Sequence, residues 1–227
     1  VTDRCCPEVL ESLYQQALKA DAVDPSSPSD ICEHLPLLRK LAERCEHVTE
    51  FGTRRANGST VALLAGQPET FVTWDIDPRA IISAGIVDLL DCGVVDGVWT
   101  GRIGRTEFQP RVGDTLKILI EPTDLLFIDS LHTYKQLFAE LMRHADPIER
   151  KIRKYLVFHD TATFGMQGED GSKPGLRSAI WHFQKQTLPQ WGLKRDLDNN
   201  NGLVVLERAD VDPRPGIWPD FYKEEAK

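Results

Sequence analysis

The stretch VTEFGTRRANGST, Val48 to Thr60, followed by FVTWDIDP, Phe71 to Pro78, decides the fold. The first is an apolar strand that ends in Glu50 and gives way to Gly52, a polar turn, Gly58 and a Ser-Thr pair. Gly52 allows a close backbone approach, Ser59 or Thr60 can cap the helix that follows, and the first N–H groups of that helix are donors for a carboxylate or phosphate. A plain strand-to-helix turn would read the same way by itself. The second stretch adds Asp75 at the carboxyl end of the next strand, 23 positions beyond Gly52. An acid there can accept both hydroxyls of a ribose. The dinucleotide pattern G-x-G-x-x-G is missing, because five non-glycine residues separate Gly52 from Gly58. A phosphate-cradling G-x-x-x-x-G-K-[ST] is missing too, since Ser59 follows Gly58. The pattern therefore favours an adenosyl ligand without a pyrophosphate.

Outward from this unit, short apolar runs alternate with helical patterns, as in a parallel sheet with crossover helices. Strands are expected at His47 to Phe51, Thr70 to Asp75, Glu107 to Val112, Asp124 to Asp129 and Lys154 to His159, and helices at Ser59 to Ala65, Arg79 to Leu90, Thr133 to His144 and Leu176 to Gln186. Leu193 to Leu197 and Leu203 to Leu206 flank DNNNG, a turn cluster that predicts an antiparallel hairpin at the end of the sheet. Cys92 to Thr106, with four glycines, has no periodicity and is left unassigned. Ahead of the sheet, Val9, Leu10, Leu13, Tyr14, Ala17 and Leu18 recur three and four apart on one helix, AVDPSSPSD is a polar break, and Pro36 opens a second helix through Cys45. The expected organisation is a helical appendage over residues 1–45, a Rossmann-like α/β domain over 46–208 and an extended tail over 209–227, in which Trp218 is a possible anchor. The fold class is a doubly wound, mostly parallel sheet with an antiparallel C-terminal hairpin and N-terminal helices.

A chain of 227 residues, 41% hydrophobic and 27% charged, can bury a core without disulfide or metal staples. With 35 acidic and 27 basic side chains its formal charge is -8, the wrong sign for binding nucleic acid or an anionic membrane. Cys5, Cys6, Cys32, Cys45 and Cys92 are odd in number and without C-x-x-C spacing, which reads as reduced thiols. No apolar run is long enough to span a bilayer and the first residues lack a signal pattern, so a cytoplasmic enzyme is the simplest expectation. The partner expected is a small molecule, with homo-oligomers left open.

Asp129 at the end of the fourth strand, His132 three residues on, and His159 with Asp160 at the end of the fifth share one rim of such a sheet. Asp129 and Asp160 suit a hard divalent cation such as magnesium, whereas His159 is a softer ligand that suits zinc or iron. A metal touching a substrate hydroxyl lowers its pKa. His132, with an ordinary pKa near 6.5, is the candidate general base. The plainer alternative has His132 capping a helix and Asp160 anchoring a loop. His34, His47, His144 and His182 read as surface or packing residues. The loop from Ala162 to Pro174 carries three glycines and can cover a substrate, and Arg177 beyond it is either an anchor for an anionic acceptor group or simply solvated.

Glu50-x-Gly52 after strand one, the acidic end of strand two, GDT at Gly113 to Thr115 and FID at Phe127 to Asp129 resemble, in that order, the class I S-adenosylmethionine-dependent methyltransferases. FIDSLHTY with VFHDT, Val157 to Thr161, resembles their small-molecule O-methyltransferase branch of catechol, macrocin-type and cephalosporin-associated enzymes. The likeness runs from Val48 to Leu206 and implies transfer of a methyl group from S-adenosylmethionine to a hydroxyl of a small molecule. It implies that Glu50, Gly52, Thr53, Gly58 and Ser59 surround the methionine end of the cofactor, Asp75 its ribose, and Asp114 with Thr115 its adenine edge. It also implies a divalent metal on Asp129, His159 and Asp160, and a base at His132 from the D-x-x-H spacing. Two features depart from the pattern: Gly58 comes sixth after Gly52, and IERKIRK, Ile148 to Lys154, replaces the usual Gly-Gly turn before strand five. A nicotinamide-dependent oxidoreductase and a noncatalytic adenosyl-binding module are the rival readings, and N-methylation stays open beside O-methylation.

Overall fold

The computed structural model describes residues 7–19, 29–54, 57–79, 93–95, 98–146, 150–187 and 190–209. The helix expected from Arg79 to Leu90, the tail beyond Ala209, and Cys5, Cys6 and Cys92 fall outside these residues apart from the first position of that helix. Cys32 and Cys45 are buried free thiols.

One nine-stranded sheet organises the chain. Its strands are β1 (His47–Phe51), β2 (Thr70–Asp75), β3 (Gly93–Val95), β4 (Val98–Ile103), β5 (Thr106–Val112), β6 (Thr123–Ile128), β7 (Ile152–His159), β8 (Trp191–Leu197) and β9 (Leu203–Arg208). The helices are α1 (Pro7–Leu18), α2 (Leu35–Ala42), α3 (Ser59–Ala65), α4 (Tyr134–His144) and α5 (Leu176–Thr187). The spatial order is β3-β4-β5-β2-β1-β6-β7-β9-β8. The five inner strands β5, β2, β1, β6 and β7 run parallel, while β7–β9 and β8–β9 pair antiparallel as the DNNNG turn requires. The stretch that showed no periodicity holds β3 and β4, an antiparallel extension leading into β5. A three-residue edge strand is too short to display an alternating pattern.

Alternation along the inner strands feeds two cores. Leu125 and Phe127 of β6 face a cluster with Leu10 and Tyr14 of α1, Leu38 and Leu41 of α2, and Leu63 of α3. Leu126 and Ile128 face the opposite cluster with Leu137 and Leu141 of α4 and Phe183 of α5. Each fully buried Leu or Phe contributes about 1.5–3 kcal/mol, so both faces of the sheet are held firmly. The chain winds outward from β1 in both directions, to β2 on one side and to β6 on the other. Ligands in open α/β sheets bind beyond the carboxyl ends of strands at such a switch point, which here is bounded by Phe51 and Ile128.

Candidate active site

Gly52 leaves β1 with φ +89, and a Cβ at this position would lie 2.1 Å from the carbonyl oxygen of Asp129. The loop after β1 therefore lies directly against the end of β6. The Gly52 N–H donates to the Trp74 carbonyl at 2.9 Å, tying the same loop to β2. Asp75 follows with its carboxylate oriented from both sides: Oδ2 accepts from the Arg54 N–H and Oδ1 from the Asp77 N–H, each at 2.8 Å. Each oxygen keeps a lone pair for a further donor.

Beneath the loop, the buried Glu50 carboxylate accepts from Ser59 at 2.7 Å and from Thr60 and Thr73 at 2.8 Å each. The Thr53 and Thr73 hydroxyls lie 2.5 Å apart and extend the chain. Burial pushes the Glu50 carboxyl up to about 7, although the three hydroxyls favour its charged form. The sequence offers Ser59 or Thr60 as the cap of α3. Gly58 occupies the cap position instead, and both hydroxyls are turned to Glu50.

A cavity of about 990 Å³ opens over the carboxyl ends of the inner strands. Of the residues that the sequence assigned to a cofactor, Gly52, Asp75, Asp114 and Thr115 line it, whereas Glu50, Thr53, Gly58 and Ser59 do not. These last four shape the loop from below. Asp114 accepts from the Leu116 N–H at 2.9 Å, and the Thr115 hydroxyl donates its hydrogen to Glu140 at 2.5 Å.

The far end of the same cavity is acidic. His132 Nε2 lies 3.1 Å from Asp129 Oδ1 and 3.0 Å from Asp160 Oδ2, and His132 Nδ1 lies 2.8 Å from Glu169 Oε2. Phe164 stacks on the ring, with centroids 5.0 Å apart and planes inclined by 6°. The helix cap after this segment is Thr133, whose side chain accepts from the Gln136 N–H, so His132 has no capping role. Burial disfavours the imidazolium of His132, but the hydrogen bond and charge of Asp129, reinforced by Asp160 and Glu169, override it and push the pKa up to about 9. Asp129 is half-buried; desolvation raises its pKa, but its bonds to His132 and His159 override that and hold it well below the usual carboxylate range.

Asp129, His159 and Asp160 each present a ligand atom, all within 4.8 Å of one another. Two features fit this set to a cation. Asp160 Oδ1 is buried and has no hydrogen-bond partner among the described residues, and the residue sits at φ 58, a conformation costly outside glycine that fixes its direction. His159 Nε2 lies 2.9 Å from the Asp30 carbonyl and 3.1 Å from that of Asn200. That contact assigns one proton to Nε2, and Nδ1 lies 3.3 Å from Asp129 Oδ1. Although burial disfavours the imidazolium, Asp129 and Asp160 push the ring up to about 9, so a metal would take the place of the Nδ1 proton.

Sequence reasoning missed Glu169, Phe164 and Asp30 at this end, because they arrive from loops. The Ala162 to Pro174 loop does cover the rim: its Glu169 N–H donates to the His132 carbonyl at 3.0 Å. Arg177 is turned elsewhere, donating to the Thr161 carbonyl and to Asp196 and Asp198 at 2.7–2.9 Å. Among the remaining histidines, His34 and His144 are buried packing residues and His182 bonds the Tyr134 hydroxyl. No helix of the described residues is long and apolar enough to cross a membrane.

No family model and no curated protein matches the sequence. Solved structures do match the fold. An O-methyltransferase from Bacillus cereus in complex with SAH superposes with a TM-score of 0.59 at 15% identity, over 87% of this chain and 90% of its own. TomG from Streptomyces achromogenes, an O-methyltransferase of tomaymycin synthesis in complex with SAM, gives 0.56 at 15% identity, over 86% and 89%. The N-methyltransferase NodS from Bradyrhizobium japonicum gives 0.52 at 16% identity, over 78% and 94%. Both nitrogen and oxygen methylation occur on this architecture, so the acceptor atom must be argued from the site. The chain has the fold of the class I S-adenosylmethionine-dependent methyltransferases.

Proposed function

We propose that this chain transfers the methyl group of S-adenosylmethionine to a hydroxyl of a small molecule. The observation that carries this reading is a single cavity joining the oriented Asp75 carboxylate and the Gly52 loop, at one end, to His132 between Asp129 and Asp160 at the other. Asp75 accepts the two ribose hydroxyls on its remaining lone pairs, and Gly52 lets the donor lie against the backbone. Holding donor and acceptor in line at near-attack distance contributes about 7–11 kcal/mol to such a reaction.

Asp129, His159 and Asp160 would hold a divalent cation such as magnesium, which when bound lowers the pKa of a hydroxyl that touches it. Glu169 accepts the Nδ1 proton of His132, leaving Nε2 as the nitrogen that exchanges protons. Against burial, Asp129 and Asp160 push this imidazole up to about 9, so most molecules keep the Nε2 proton at neutral pH. In the fraction that has lost it, the acceptor hydroxyl takes the place of a carboxylate beside Nε2 and gives up its proton there. The hydroxyl oxygen then forms a bond to the methyl carbon. The carbon–sulfur bond breaks, its electron pair stays on sulfur to give S-adenosylhomocysteine, and His132 releases the proton to water. Phe164 and the covering loop exclude water from this end.

The test is calorimetric titration with S-adenosylhomocysteine followed by transfer of a labelled methyl group to a panel of hydroxyl compounds. Micromolar binding and label in an ether product are expected. Folded protein without affinity for either S-adenosylmethionine or its demethylated product would reject the reading, and tight binding of NADH in its place would favour an oxidoreductase.

A further inference from the structure

Glu140 is a carboxylate where the pattern of α4 calls for an apolar residue. It shares the buried face of that helix with Leu137, Leu141 and His144, and it is fully buried. Its partners come from three segments. Oε1 accepts from the Thr115 hydroxyl at 2.5 Å and from Gln136 Nε2 at 2.9 Å, and the Ser130 hydroxyl donates to the carboxylate at 2.8–2.9 Å. Gln136 Nε2 also lies 3.1 Å from Thr115 Oγ1. Thr115, Ser130 and Gln136 all line the large cavity, together with Gly113 and Asp114.

The directions of these bonds fix what the wall can offer a ligand. An ionised carboxylate only accepts, so both hydroxyl hydrogens and the amide N–H group must point at Glu140, away from the cavity. The outward-facing atoms are then oxygens with lone pairs. The amide oxygen of Gln136 accepts from none of the described residues, and Thr115 and Ser130 present oxygen without a hydrogen. Burial raises the pKa of Glu140, and the three donors oppose that rise. Such a wall suits a donor edge and leaves an acceptor edge facing like polarity.

On the reading that the cavity takes an adenosyl cofactor, we infer that Glu140 is a positioning residue that sets this wall to receive the 6-amino group of a purine and to reject a 6-oxo group. It touches no ligand. It acts through Thr115, Ser130 and Gln136, and it makes the site discriminate S-adenosylhomocysteine from the deaminated S-inosylhomocysteine.

Both ligands are titrated calorimetrically into the full chain, into Glu140→Gln and into Gln136→Ala. The unaltered protein should bind the adenosyl compound at least about tenfold more tightly, the worth of one hydrogen bond replaced by an unpaired contact. In Glu140→Gln the new amide N–H needs an acceptor, which obliges Thr115 or Ser130 to turn its hydrogen outward, and the preference should fall to about twofold or less. Gln136→Ala removes the amide oxygen from a half-buried position and should lower the preference even if Glu140→Gln fails to fold. A loss of overall affinity with the ratio unchanged would be the mark of a merely structural role and would overturn the inference, as would equal binding of both compounds by the unaltered protein. Absence of any S-adenosylhomocysteine binding would instead overturn the proposed function, and this inference with it.

Discussion

Gly52 and Asp129, which follow the ends of neighbouring strands, are in contact so close that the first leaves no room for a side chain: a Cβ at position 52 would lie 2.1 Å from the Asp129 carbonyl oxygen. The loop after β1 and the acidic rim are therefore one mechanical unit. The positive φ of 89 at Gly52 adds a conformational penalty to the clash for any other residue. Gly52→Ala is expected to lower affinity for S-adenosylhomocysteine at least about tenfold and to depress the melting temperature, since the collision is with backbone and cannot be relieved by a rotamer change. Calorimetry and thermal unfolding check this; wild-type affinity in a fully folded variant would contradict the proposed approach of the ligand to Gly52.

The Glu50 cluster makes stability depend on pH in a stated direction. Its carboxyl is raised from 4.5 to about 7 in the folded chain by burial. Below pH about 4.5 both folded and unfolded chains hold the proton and the contribution is complete. Between about 4.5 and 7 the unfolded chain loses its proton first, so stability declines as pH rises, and above about 7 the decline is finished. The full effect is on the order of 3 kcal/mol. Glu50→Gln cannot ionise and should remove this decline. Denaturant titrations at pH 5 and pH 8 on both proteins isolate it; identical pH slopes would show that Glu50 titrates normally.

Asp160 supplies the metal prediction, because its buried Oδ1 is without a hydrogen-bond partner among the described residues. Manganese is a spectroscopic substitute for magnesium at oxygen-rich sites. Paramagnetic resonance should detect bound manganese in the unaltered chain and none in Asp160→Ala, while S-adenosylhomocysteine binding changes little. Exhaustive chelation should cost most of the methyl transfer. Activity untouched by chelation, together with no manganese signal, would remove the metal from the mechanism.

The sequence was most informative where chemistry and chain order coincide. Glu50, Gly52 and Asp75 are close in sequence and lie in or just after strands with clear apolar runs, so the mostly parallel sheet and the glycine turn leaving its first strand were legible. The inward turn of Ser59 and Thr60 was not, because capping a helix and bonding Glu50 require the same residue types at the same spacing. Glu140 left a trace that was overlooked: an acid in phase with Leu137, Leu141 and His144 marks a buried charge needing partners. Glu169 left none, since its meeting with His132 spans 37 positions and depends on how a glycine-bearing loop settles.

That meeting yields the last prediction. Glu169 bonds Nδ1 of His132 at 2.8 Å, so the two residues should be unequal but coupled in catalysis. His132→Ala removes the proton acceptor and should lower turnover about 10²–10⁴-fold, the usual worth of a positioned base, with cofactor affinity preserved. Glu169→Gln keeps the loop in place through its backbone bond to the His132 carbonyl and offers Nδ1–H an amide oxygen instead of a charge. A smaller loss, about tenfold, is expected from it, and none at all once His132 is alanine, because Glu169 then has no ring to orient. Single-turnover assays of the two variants and their combination measure this coupling. Additive losses would separate Glu169 from the base, and unchanged turnover in His132→Ala would reject the base itself.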